Sequence, residues 1–157
     1  MIEIRWQEQY ERMKRYLARA SEPISGADRD AHNQRVLDDL PSFFVFCFHL
    51  KDWLKGDPQS GIGNKEVENF VRQSEPLSLC GDLANASKHA ALKAGLVRAD
   101  PNPRVQGGTL TSDLGSLRFV GSWFAVVTSK GEEHDALSLA RLCLAEWVGF
   151  LKAKGLT

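Results

Sequence analysis

The residues best suited to chemistry are His49 and Asp52 in HLKDWL and Asp82, Asn85, Lys88 and His89 in DLANASKH. On a helix, residues three and four apart share a face, so His49 lies beside Asp52 and Trp53. By the same spacing Asp82, Asn85 and His89 fall on one stripe, next to an apolar face of Leu79, Leu83, Ala86 and Ala90. Polar groups this near a core must find partners, since each one buried unpaired costs roughly 1 to 3 kcal/mol. Gly81, Ala84, Ala86, Ala90 and Ala91 are small enough to let another helix, such as the one that carries His49, come close.

Three chemistries fit these types. His49, Asp52, Asp82 and His89 offer two imidazoles and two carboxylates, a set that suits zinc, manganese or iron and would make a metal-dependent helical-bundle enzyme. A dinuclear site of that kind needs paired motifs on more than one helix, and the chain has only one H-x-x-D. A second chemistry needs no metal: His89 acts as general base or acid, Asn85 orients a phosphate and Lys88 neutralises it, with His49, Asp52, Asp82 and Trp53 as binding residues. A third is purely structural, with carboxylates holding histidines and an asparagine tying two helices together.

NASKH at residues 85–89 resembles the end of the signature of the HEPN superfamily, helical bundles of which many are RNases of toxin-antitoxin and phage-defence systems. Asn85 and His89 match that signature, whereas Ala84 stands where the family carries arginine, with Lys88 as a conceivable substitute for its charge. The resemblance implies RNA or a nucleotide as partner, a homodimer built around the site, and an RNA-binding or antitoxin-like member more than an active RNase. The blocks HLKDWL and DLANASKH are also similar to those of uncharacterised bacterial and phage proteins of comparable length, which imply no activity.

The rest of the chain must position these residues. Trp6, Tyr10, Met13, Leu17 and Ala20 recur at helical spacing within residues 3–20, with the arginines on other faces. A second helical stretch runs from Asp28 to about Lys55. Pro41 predicts a kink in it or two helices meeting near Asp39. From Ser42 to Leu54 it is apolar on nearly every side, as a central helix is. Asn64 is suited to cap a short helix reaching Gln73, and Ser74, Glu75 and Pro76 open another that extends to about Lys93. Residues 95–109 are rich in glycine and proline and read as loop. Residues 105–111 and 117–128 predict a two-stranded hairpin turning at SDLGS, packed on the helices through Phe119, Trp123 or Phe124. A last helix begins near Glu132 and ends near Ala153, its acidic start suiting the helix dipole. The expectation is a mainly α, single-domain bundle of about five helices over residues 1–157, with a small hairpin inserted at about 105–128 before the last helix.

Composition narrows the function classes. Lys plus Arg and Asp plus Glu are both 20, so no global field draws polyanions and any nucleic-acid contact is local. Cys47, Cys80 and Cys143 are odd in number and far apart, with no C-x-x-C, which argues against a disulfide framework or cysteine zinc site and predicts reduced core thiols. The N-terminal stretch lacks the apolar segment of a secretory signal, and FFVFCF is too short to span a bilayer. A cytoplasmic location without membrane partners is expected. The basic residues of the first helix (Arg12, Lys14, Arg15, Arg19) read as a solvated face, G-I-G-N at 61–64 as a turn, and His32 and His134 as surface residues. No cofactor signature and no hydrolase or kinase motif is present, so no cofactor is expected.

Overall fold

Every apolar residue of the first helical stripe is buried: Trp6, Tyr10, Met13, Leu17 and Ala20 all face inward from helix α1 (Trp6–Ala20). The protein is described here from a computed structural model covering residues 5–24, 28–88 and 94–157. Five α-helices occur among the described residues, together with one small antiparallel sheet.

Helix α2 (Arg29–Gly56) is the axis of the fold. Asp28 caps it, accepting the Ala31 N–H at 2.9 Å. It continues through Pro41 as one element of 28 residues, so the expected division near Asp39 does not occur. Proline removes one helical donor, and tertiary packing outweighs that loss because Leu40, Phe43, Phe44, Cys47 and Leu50 are all fully enclosed. The Ser42 hydroxyl also donates to the Asp38 carbonyl one turn back, at 3.0 Å. As its all-round apolarity requires, α2 touches α1, both following helices, the last helix and the sheet.

Helix α3 (Asn64–Gln73) is capped by Gly63, not by Asn64, which is its first residue and makes no capping bond. Helix α4 (Glu75–Ala86) starts as its sequence predicts, with the Ser74 hydroxyl accepting the Leu77 N–H at 3.3 Å and Pro76 in the first turn. It ends at Ala86, well before Lys93, and Ser87 and Lys88 form a turn. Close approach to α2 is real at Gly81, where a Cβ would stand 2.7 Å from the Phe48 ring.

The hairpin consists of β1 (Arg104–Leu114) and β2 (Leu117–Val127), with Leu114 opposite Leu117 and only Gly115 and Ser116 between them. Gly115 has φ +62 and no other residue type in the described chain has positive φ, which marks a type II′ turn, matched to the twist of the strands. A third strand, β3 (Glu133–Asp135), pairs with Ala125–Val127 where the sequence suggested the first turn of the last helix. That helix, α5 (Ala136–Ala153), instead begins at Ala136, with Asp135 accepting the Ser138 N–H at 2.7 Å. Among the three proposed sheet anchors, Phe124 is buried, whereas Phe119 and Trp123 are 53% and 41% exposed. Trp123 alternates with Ser122 and Phe124 and so falls on the opposite face of β2, Phe119 lies nearer the turn, and polar contacts do much of the docking: Asn33 donates to Thr109 Oγ1 and accepts from Ser122 Oγ (3.1 and 2.6 Å), and Arg29 donates to the same Ser122 oxygen at 3.0 Å.

One cluster of buried side chains draws on all five helices and on Phe124 and Val126 of β2. Trp147 and Phe43 are its largest fully enclosed rings after Trp6, and the Trp147 indole N–H donates to the Cys47 carbonyl at 3.0 Å. No helix among the described residues is long and apolar enough to cross a membrane.

Candidate functional site

The last two turns of α2 project His49, Lys51, Asp52 and Lys55 toward α3 and the end of α4. The His49 Nδ1 lies 3.0 Å from Asp52 Oδ2, the i, i+3 contact that the sequence predicts. Its other ring nitrogen, Nε2, is 3.0 Å from the Lys88 ammonium, which arrives from the turn after α4. An ammonium only donates, so Nε2 accepts, and the proton of the neutral ring sits on Nδ1 facing the carboxylate. Asp52 thereby fixes the ring's tautomer and orientation, as a carboxylate bonded to one ring nitrogen commonly does.

Asp52 is engaged further. Its Oδ1 is 3.0 Å from Lys51 Nζ and 2.8 Å from Lys55 Nζ. Partial burial would raise the Asp52 pKa, but hydrogen bonds from His49, Lys55 and Lys51 outweigh it and hold the carboxyl well below its ordinary range. Glu68 of α3 takes the same two lysines, at 3.0 Å from Lys51 and 2.7 Å from Lys55, with Arg98 at 4.0 Å. Burial opposes ionisation of Glu68 too, and the bonds from Lys55 and Lys51 again win, lowering its pKa. Lys51 and Arg98 both stand over the Phe48 ring, at 4.9 and 5.0 Å from its centre, so two cations share one aromatic platform.

Arg98 connects this cluster to a neighbouring hollow of about 480 Å³ lined by Arg72, Ser78, Asn85 and residues 95–98. Its Nη1 is buried and has no hydrogen-bond partner among the described residues. Counting Lys51, Lys55, Arg72, Lys88 and Arg98 against Asp52 and Glu68, the face is cationic although the whole chain is neutral.

Asp82 does not join it. It is fully buried, and its carboxylate accepts the backbone N–H groups of Arg98 (2.9 Å), Ala99 (2.6 Å) and Asp100 (2.8 Å). Asp82 therefore anchors the 98–100 loop to α4. Asp100 repeats the device, accepting the Ser129 N–H and hydroxyl (3.1 and 2.7 Å) and the Asn102 N–H (3.0 Å). Burial would raise the Asp100 pKa, but the Ser129 hydroxyl and the backbone donors pull it down.

Of the residues singled out from sequence, His49, Asp52 and Lys88 meet, Asn85 lies in the adjoining hollow, and Trp53 packs half-buried against the core instead of entering the polar cluster. His89 lies outside the described residues. The four-ligand metal set therefore has one member outside the described residues and one, Asp82, occupied by backbone donors. Sequence reasoning missed Lys51, Lys55, Glu68, Arg72 and Arg98 as members of the face. The spacing of Lys51, Asp52 and Lys55 was a usable signal; nothing local to Glu68 or Arg98 points toward α2.

The remaining polar features sort simply. The basic residues of α1 are partly tied down, Arg19 to Asp39 at 2.9 Å and Arg12 over the Phe46 ring at 5.3 Å. His32 is half-buried beside Arg35, and His134 is exposed on β3. Compared with known protein families, with curated proteins and with solved structures, the chain matches none.

Proposed function

We propose that the face formed by the end of α2, α3 and the segments flanking residues 89–93 binds the phosphate groups of RNA or a nucleotide. Lys51, Lys55, Lys88 and Arg98 supply the charge, and His49, held by Asp52, supplies a directed ring nitrogen. The observation that carries the reading is Arg98, whose guanidinium has a buried donor without a described partner beside a hollow lined by a second arginine. A planar guanidinium suits phosphate because its donors match two oxygens at once. The likeness of NASKH to HEPN proteins points the same way, and Ala84 in place of their arginine favours binding over cleavage. A homodimer belongs to the same reading and is checked by sedimentation equilibrium.

The test is fluorescence anisotropy with a labelled single-stranded RNA across a salt series. Neutralising Lys88 and Arg98 together weakens binding and lowers the salt slope by about 2, roughly one for each phosphate no longer neutralised. The His49→Ala variant keeps the slope but alters affinity. Absence of salt-dependent binding by the unaltered protein at low ionic strength overturns the proposal.

A further inference from the structure

The three cysteines, remote in sequence, converge. Cys47 comes from α2, Cys80 from α4 and Cys143 from α5, and their sulfurs all lie within 4.8 Å of one another. All three are free and buried. A metal–sulfur bond of about 2.3 Å places three sulfurs around one centre about 4 Å apart, so small side-chain adjustments would close the set on a single atom. No other His, Cys, Asp or Glu among the described residues joins the group. Tetrahedral zinc requires a fourth ligand, and thiolates select soft centres.

Charge narrows the choice further. The cluster sits in an apolar core, where a net charge without a partner is costly. Three thiolates around a monovalent or divalent ion leave an uncompensated negative charge, whereas a trivalent centre leaves none. We infer that Cys47, Cys80 and Cys143 form a three-thiol binding site for a trivalent thiophilic metalloid of the arsenic class. The exchange is balanced without an oxidant: arsenous acid, As(OH)3, meets three thiols, three As–O bonds break and three As–S bonds form. Each thiol proton leaves with a hydroxide as water, so three waters depart and arsenic stays trivalent.

A cleft lies one residue away from Cys143, which is itself fully buried. Its thiol donates to the Pro76 carbonyl at 3.4 Å, and Pro76 lines a cleft of about 400 Å³ with Glu75, Leu79, Leu139 and Leu142. The Cys80 thiol donates instead to the Phe44 carbonyl at 3.3 Å, deep inside. Burial pushes the Cys47 and Cys80 thiols up. Cys143, linked through Pro76 to that cleft, is the thiol placed to meet arsenite first on opening, with the inner pair completing the set.

The test incubates the reduced, full-length protein with arsenite in the absence of oxygen, a few degrees below its melting midpoint so that local opening admits the ligand. Excess arsenite is removed by gel filtration. One arsenic per chain is expected, with three sulfur and no oxygen neighbours by X-ray absorption, and a raised Tm because the folded state, which gathers the three thiols, binds more tightly than the unfolded chain. Separate Cys47→Ala and Cys143→Ala variants should each retain at least tenfold less arsenic. Because an alanine variant could unfold, the sulfur count on the unaltered protein stands as an independent check. No retained arsenic, fewer than three sulfur neighbours, or undiminished retention by a folded single variant overturns the inference.

Discussion

Replacing Asp82 by alanine removes the acceptor for three backbone donors at once. Asp100 is buried, so its N–H would face the full cost of an unpaired buried group, about 1 to 3 kcal/mol. Ala99 is exposed and Arg98 only partly buried, so water can replace the carboxylate there, and each loss is nearer 0.5 kcal/mol, the low end for a net hydrogen bond. The sum is about 3 kcal/mol, which for a chain of this length lowers Tm by roughly 6 to 12 °C. Asp82→Asn keeps one acceptor oxygen but turns an amide NH2 toward the loop, and should fall between the two. Thermal melts followed by circular dichroism measure the loss, and hydrogen exchange localises it: the amides of residues 98–100 should speed up more than those of α1, which follow only the global loss. An Asp82→Ala protein melting within about 2 °C of the parent, less than 1 kcal/mol at this size, would refute the anchoring argument.

Two further outcomes follow from the packing and the charges. Gly81→Ala drives a Cβ to 2.7 Å from the Phe48 ring and 3.1 Å from Arg98 Cδ, and overpacking of this kind costs about 1 to 3 kcal/mol, read as a lower urea midpoint with unchanged slope. Asp52, Glu68 and Asp100 all have pKa values held below the ordinary carboxylate range in the folded protein. Such groups contribute stability that is complete above the unfolded value near pH 4 and disappears as pH falls through the folded values. The share of Tm that these three carry should therefore be steady from about pH 7 to 5 and drop below about pH 4. Asp100→Asn should be less stable at neutral pH and show a shallower acid decline, so an acid decline parallel to that of the parent counts against this assignment.

How far the sequence could be read depended on whether a feature was written locally. The stripe from Trp6 to Ala20, the all-round apolarity around Phe43 and Phe48, and the cap at Ser74 with Pro76 are local signals, and the helices they announce are present. Of the two outcomes that Pro41 predicts, a meeting of two helices near Asp39 does not occur, because the cost of proline is fixed locally while the compensating burial of its neighbours comes from elements distant in sequence. The end of α4 at Ala86 was missed because residues 87–93, SKHAALK, carry no glycine or proline to stop a helix. Strand β3 exists because β2 offers it an edge, which three residues of EHD cannot announce. Within the site, the His49–Asp52 contact is an i, i+3 relation and was legible. Asp82 looked equally chemical, yet its role is set by a loop sixteen to eighteen residues away. The meeting of Cys47, Cys80 and Cys143 spans nearly a hundred residues, and no spacing rule reaches so far.

The paired carboxylates Asp82 and Asp100 also have a mechanical meaning. The first fastens the 98–100 loop to α4, and the second fastens that loop to Ser129, just beyond the root of the ribbon, while among the described residues its Gly115–Ser116 tip is held only by its own ladder. The ribbon is thus a lever with a clamped foot and a free end. A peptide tag or fluorophore spliced between Gly115 and Ser116 would ride outside the body of the molecule, leaving the core and the cationic face undisturbed.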